Sequence, residues 1–214
     1  MNDKPGQQLL LSFPFHPEYN FSNFVVSEGS RIAFETAKEF CSENPAPYQA
    51  LYIFGQKNLG KTHLLLSIGN RAAERELRAV CIQGHDFVDK LGGDPSPEAQ
   101  QTLKQLLNVD FFLMDNVESL ANSPTAQEKL YHIYNQMMEK GGKLAFTASL
   151  PPDRNSAMES YLTSRFQWGM VAEIKPIDDS TTAKIILKLA KDINLTMPES
   201  IIHFLLSRIA RDFI

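Results

Sequence analysis

Short continuous apolar runs alternate along this chain with longer stretches in which apolar residues recur every three or four positions. The runs ALYIF (50–54), AVCIQ (79–83), DFFLM (110–114) and KLAFTAS (143–149) have the length of buried strands. Around them the helical spacing predicts helices over 27–41, with Ser27 as its cap, 62–77, 86–91, 98–107 and 125–140. Strands that alternate with helices of this kind bury both faces of a parallel sheet, so the pattern predicts a three-layer α/β fold. After Pro176 the pattern changes to two amphipathic helices, 181–191 and 198–211, with no strand between them. The organisation read from this is a tail over 1–19, an α/β domain over 20–176 and a small, partial helical lid over 177–214. Asp178 and Asp179 stand where the first lid helix needs a cap.

The 214 residues are enough to bury a core without disulfides or a structural metal. A hydrophobic fraction of 43% excludes a disordered chain. Twenty-one Lys and Arg against 25 Asp and Glu leave a net charge of −4, which disfavours a body built for strong direct DNA binding. No apolar stretch is long enough to span a bilayer, and residues 1–8 lack the layout of a secretory signal. Cys41 and Cys81 have no metal-ligand spacing and read as reduced thiols of a cytoplasmic protein, and the five histidines form no metal-spaced set.

One segment carries chemistry outright. Gly55-Gln56-Lys57-Asn58-Leu59-Gly60-Lys61-Thr62 matches G-x-x-x-x-G-K-[ST] between a predicted strand and a predicted helix. Glycines let the backbone N–H groups converge on phosphate oxygens, and the helix N-terminus adds its positive end. Lys61 would meet the β- and γ-phosphates of ATP or ADP, and the Thr62 hydroxyl would ligate Mg²⁺. Asp115, closing the strand FFLM, is the expected second Mg²⁺ group. The next residue, Asn116, cannot take a proton from an attacking water, so weak intrinsic ATP hydrolysis is expected.

With these residues in place the chain resembles the DnaA branch of the AAA+ ATPases over nearly its whole length. Tyr19 to Val26 (YNFSNFVV) is similar to the family's entry into its adenine pocket, which implies nucleotide contacts at Val25 and Val26. GQKNLGKTHL (55–64) resembles its phosphate-loop block, implying Gly55, Asn58, Gly60, Lys61, Thr62 and His63 as nucleotide-binding residues. QEKLYHIYN (127–135) looks like the helix after the acidic strand, and TASLPP (147–152) falls at the sensor 1 loop, with Ser149 where an acidic residue is usual. YLTSRFQWG (161–169) is similar to the block that carries the arginine finger, which implies Arg165 for that role; Trp168 in the same block is expected in the core.

Departures refine the resemblance. The initiator ends in a basic DNA-binding domain, whereas Asp115-Asn116-Val117-Glu118 resembles the version found in a regulatory paralogue without that domain. The family's sensor 2 arginine would align near Ile214, and a third lid helix would come later. Gln8-Leu9-Leu10-Leu11-Ser12-Phe13 resembles a sliding-clamp-binding peptide, with Gln8, Leu11 and Phe13 as its contacts. The implied role is a regulator that docks on the DNA polymerase sliding clamp, stimulates ATP hydrolysis by the DnaA initiator and so limits initiation, with self-association through AAA+ interfaces. A truncated DnaA-type initiator and a helicase-loader-like ATPase are the alternatives.

Overall fold

A computed structural model describes residues 11–12, 18–44 and 46–208; of Leu11 and Ser12 only the backbone is described. Six strands form one sheet: β1 (Leu11–Ser12), β2 (Ala50–Phe54), β3 (Ala79–Gln83), β4 (Phe111–Asp115), β5 (Lys143–Ala148) and β6 (Met170–Glu173). Their order is β1-β3-β4-β5-β2-β6, with β2 to β6 mutually parallel and β1 antiparallel to β3. The four strands expected from the apolar runs are all present. The edge strands β1 and β6 are additional.

Residue alternation along the strands divides the core in two. Leu51, Ile53, Leu113 and Ala145 face one side, where they pack against α1 (Arg31–Phe40) and α2 (Lys61–Glu74). Tyr52, Phe112, Met114, Leu144 and Phe146 face the other. That side is covered by α3 (Gly84–Leu91), α4 (Pro97–Leu107), α5 (Pro124–Glu139) and α6 (Ser160–Trp168). Two strands buried on both faces, β4 and β5, explain why their sequences read as continuous apolar runs.

The expected helices are found with small shifts at their ends. The cap of α1 differs: Ser27 and Ser30 bond each other reciprocally, Ser27 N–H to Ser30 Oγ at 2.9 Å and Ser30 N–H to Ser27 Oγ at 3.0 Å, in a turn ahead of the helix. Two lid helices, α7 (Asp179–Asp192) and α8 (Glu199–Arg208), follow β6 with no strand between them. Asp178 caps α7, its Oδ1 accepting the Thr181 N–H at 2.7 Å. Among the described residues no helix is long and apolar enough to cross a membrane.

Candidate nucleotide-binding site

The phosphate loop leaves the C-terminal end of β2 and feeds α2. Its conformation depends on residues that tolerate positive φ: Asn58 at 62° and Gly60 at 91°. A Cβ on Gly60 would also lie 2.7 Å from the Phe24 ring, so both backbone angle and space exclude a side chain there. Lys61, 7% exposed, donates from Nζ to the carbonyls of Gly55 (2.9 Å) and Gln56 (2.7 Å). Burial lowers its pKa, while the carboxylates of Glu118 and then Asp115 act in the opposite direction.

Asp115, 2% exposed at the end of the central strand β4, gathers the polar side chains of the neighbouring strand ends. Its Oδ2 accepts from the Thr62 hydroxyl at 2.9 Å and from the Gln83 amide at 2.9 Å, and its Oδ1 accepts from the Thr147 hydroxyl. A hydroxyl and a carboxylate side by side at a helix N-terminus are hard oxygen ligands of the kind Mg²⁺ takes, so the donor set fits a nucleotide-bound Mg²⁺ held by Thr62 and Asp115. The ion would neutralise phosphate charge, and the loop N–H groups and Lys61 would bind and orient the phosphates.

Asn116 follows with φ 56°, its amide donating to Gln83 Oε1 at 3.1 Å. It is tied to the β3 end rather than to the loop. Ser149 donates from both its hydroxyl (2.6 Å) and its N–H (3.0 Å) to Glu118 Oε1. Gln83 joins the site without having been expected there, and Glu118 and Thr147, which the sequence offers only as parts of longer blocks, take definite places in it.

Beside the loop lies a cavity of about 320 Å³ whose lining includes Val25, Asn58, Gly60 and His63, with α7 closing it through Ile185 and Lys188. His63 Nε2 lies 3.0 Å from the Asn20 carbonyl, its ring edge-on to Tyr19 and Phe24, and burial lowers its pKa. Lys188 of α7 donates to the Asn23 carbonyl, joining lid to body. Of the two expected valines, Val25 lines this cavity while Val26 packs on the α1–α2 side of the core. A mostly apolar cleft next to a phosphate loop suits a purine base.

Arg165 stands apart from this cluster. It lines a second concavity of about 610 Å³ together with Gln49 and Ala50 at the start of β2, whereas the phosphate loop leaves the far end of that strand. Its guanidinium lies 4.5 Å from the Trp168 ring and 5.6 Å from the Tyr131 ring. Trp168 is 75% exposed, which corrects the expectation that it packs in the core: its partner is the arginine, on the surface. Gln8 and Phe13 lie outside the described residues, as does the side chain of Leu11. The backbone of Leu11 and Ser12 pairs with Cys81 and Val80 at the sheet edge, where a free tail was expected.

A phosphate loop, an acidic strand end and a helical lid over a base cleft define a P-loop nucleotide-binding ATPase module of the AAA+ kind. The model of the bacterial DnaA ATPase domain matches residues 15–173, and the chain belongs to that family. It is 32% identical over 204 residues to the chromosomal replication initiator protein DnaA of Thermotoga petrophila, covering 92% of this chain and 46% of that protein. Among solved structures, domain III of the Thermotoga maritima initiator superposes with a TM-score of 0.81 at 33% identity, covering 90% of this chain and 82% of that one. AMPPCP-bound DnaA from Aquifex aeolicus superposes with a TM-score of 0.81 at 29% identity, covering 92% and 62%. The chain thus spans somewhat less than half the length of the full initiator it matches.

Proposed function

We propose that this chain is a cytoplasmic ATPase module of the DnaA type that acts in the control of replication initiation. It holds ATP or ADP with Mg²⁺ between Lys61, Thr62 and Asp115 on one side and the Val25–His63 cleft on the other. It lends Arg165 to the nucleotide of a neighbouring DnaA-type module. The observation that carries this reading is the separation of the two sites. β2 is five residues long, roughly 16 Å at strand rise, and its two ends lead to the phosphate loop and to the Arg165 concavity. An arginine so placed, half-buried against the exposed Trp168, suits a nucleotide presented by another molecule. DnaA from Aquifex aeolicus has been solved with the ATP analogue AMPPCP bound, which supports the nucleotide assignment. Titration with AMPPCP and ADP, with and without Mg²⁺, tests it: micromolar, Mg²⁺-dependent binding is expected, and its absence in the wild type would remove the reading.

Two sequence features favour a narrower role within the same class, that of the regulatory paralogue Hda. One is Asn116-Val117-Glu118 after Asp115; the other is the Gln8–Phe13 peptide. In that role the chain docks on the sliding clamp and stimulates the initiator's ATP hydrolysis. The relatives reported above are initiators, which favours the initiator-type reading. A pull-down with purified sliding clamp separates the two: capture through Gln8 and Phe13 supports the regulator, and no capture at micromolar clamp leaves the initiator-type module.

A further inference from the structure

Among the described residues, one buried side-chain nitrogen or oxygen has no hydrogen-bond partner, and it is Oε2 of Glu118. A buried carboxylate oxygen without a donor is costly, so its retention calls for a reason. Its surroundings supply one. Glu118 lies in a 3-10 turn, Val117–Leu120, three residues beyond Asp115. Its other oxygen, Oε1, is pinned by two donors from one residue, the N–H and the hydroxyl of Ser149. Ser149 directly follows β5, and β5 is the strand beside β2. At that point Phe54 pairs with Ala148, and the Gly55 N–H donates to the Ala148 carbonyl at 3.2 Å. The carboxylate is therefore fastened to the strand end that itself touches the first residue of the phosphate loop. The Glu118 carboxylate also opposes the burial that lowers the Lys61 pKa, as does Asp115, so its charge is felt at the loop lysine.

We propose that Glu118, oriented by Ser149, is the general base for the hydrolysis of this module's own ATP, the role that Asn116 cannot fill. This rests on the nucleotide-binding reading above. Oε2 accepts a proton from water as the water oxygen bonds to the γ-phosphorus. The bond from that phosphorus to the β–γ bridging oxygen breaks, and its electron pair leaves with ADP. The products are ADP and inorganic phosphate, and the proton on Glu118 returns to solvent. Glu118 is the catalytic residue in this scheme. Ser149 is a positioning residue: its two hydrogen bonds hold Oε1 and leave Oε2 as the oxygen available for a proton.

The test uses the full chain loaded with ATP and Mg²⁺, followed by chromatography of the bound nucleotide over time. Glu118→Gln keeps the side-chain shape and the Ser149 bonds to an amide oxygen, yet removes the base. Its single-turnover rate should fall at least roughly hundredfold, the lower end for loss of a general base, so that ATP stays bound where the wild type accumulates ADP. Ser149→Ala should slow turnover by roughly tenfold, the milder effect of losing orientation alone. A second readout needs no turnover. Removing a negative charge near the γ-phosphate should tighten AMPPCP relative to ADP by roughly fivefold in Glu118→Gln. Turnover within threefold of wild type in Glu118→Gln, an unchanged AMPPCP-to-ADP ratio, or a wild type that never converts its bound ATP would each overturn the proposal. A wild type that binds neither nucleotide would instead overturn the nucleotide-binding reading beneath it.

Discussion

The Thr62 hydroxyl donates to Asp115 Oδ2 at 2.9 Å, joining the first turn of α2 to the end of β4 across 53 residues of sequence. The same oxygen takes the Gln83 amide and its twin takes Thr147, so three donors fix the orientation of the carboxylate. Such preorganisation suits a cation bound through one carboxylate and one hydroxyl. Asp115→Asn should leave the fold intact and erase most of the Mg²⁺ dependence. Where Mg²⁺ strengthens ATP binding by the wild type roughly tenfold or more, the variant should gain less than about twofold. Calorimetric titration with and without Mg²⁺ checks this.

Lys61 is buried at 7% exposure and reaches two loop carbonyls with its ammonium. Lys61→Ala should weaken ATP and ADP binding by roughly a hundredfold, the scale of losing charged hydrogen bonds in a shielded site. Equal affinity in the variant would contradict the phosphate-loop assignment.

Burial holds His63 below the ordinary histidine range. The folded protein therefore binds fewer protons at this site than the unfolded chain. The contribution is fully present above about 6.5 and is lost as pH falls below that value towards the lowered pKa. Urea unfolding at pH 7.5 and 5.5 should show a larger loss of stability for wild type than for His63→Gln; an identical loss in both would count against it.

Much of this was legible in the sequence because burial on both faces leaves a plain signature. FFLMD and KLAFTA are apolar almost throughout since β4 and β5 lie in the middle of the sheet. The phosphate loop was legible because its glycines, lysine and threonine follow from the chemistry of phosphate itself. β6, four residues at the sheet edge with Met170 and Glu173 exposed, has no such run, and its pairing with β2 is set by tertiary contact. β1 is two residues long and carries less signal still. Trp168 misled because a large aromatic in an apolar block reads as core, whereas here a guanidinium covers its face. Glu118 is visible in the sequence only as part of Asp115-Asn116-Val117-Glu118, because nothing in a linear reading shows that a residue three places on folds back beside β5. The 3-10 turn brings the third residue to Ser149 at the end of β5, and the carboxylate at that spacing was the signal available.

The tail yields a prediction with two arms. In the regulator reading, changing Gln8 and Phe13 to Ala should remove sliding-clamp association and leave nucleotide affinity within about twofold, since the phosphate loop and the cavity beside it are lined by residues from Glu18 onward. Deleting residues 1–14 should do the same and, by removing β1, also uncover the β3 edge. Loss of nucleotide binding in the double substitution would mean that the tail serves the fold instead.

The central claim is that the chain holds a nucleotide at one end of its sheet and serves another molecule's nucleotide from the other. The most direct test preloads a DnaA initiator with radiolabelled ATP and measures phosphate release on adding this chain, wild type or Arg165→Ala, with sliding clamp and DNA present. An arginine supplied in trans is typically worth about 10³–10⁵ in rate. The wild type is therefore expected to accelerate release strongly, and Arg165→Ala to bind nucleotide as before while giving no acceleration. A variant that stimulates as well as the wild type, or a wild type that stimulates not at all, would contradict the account.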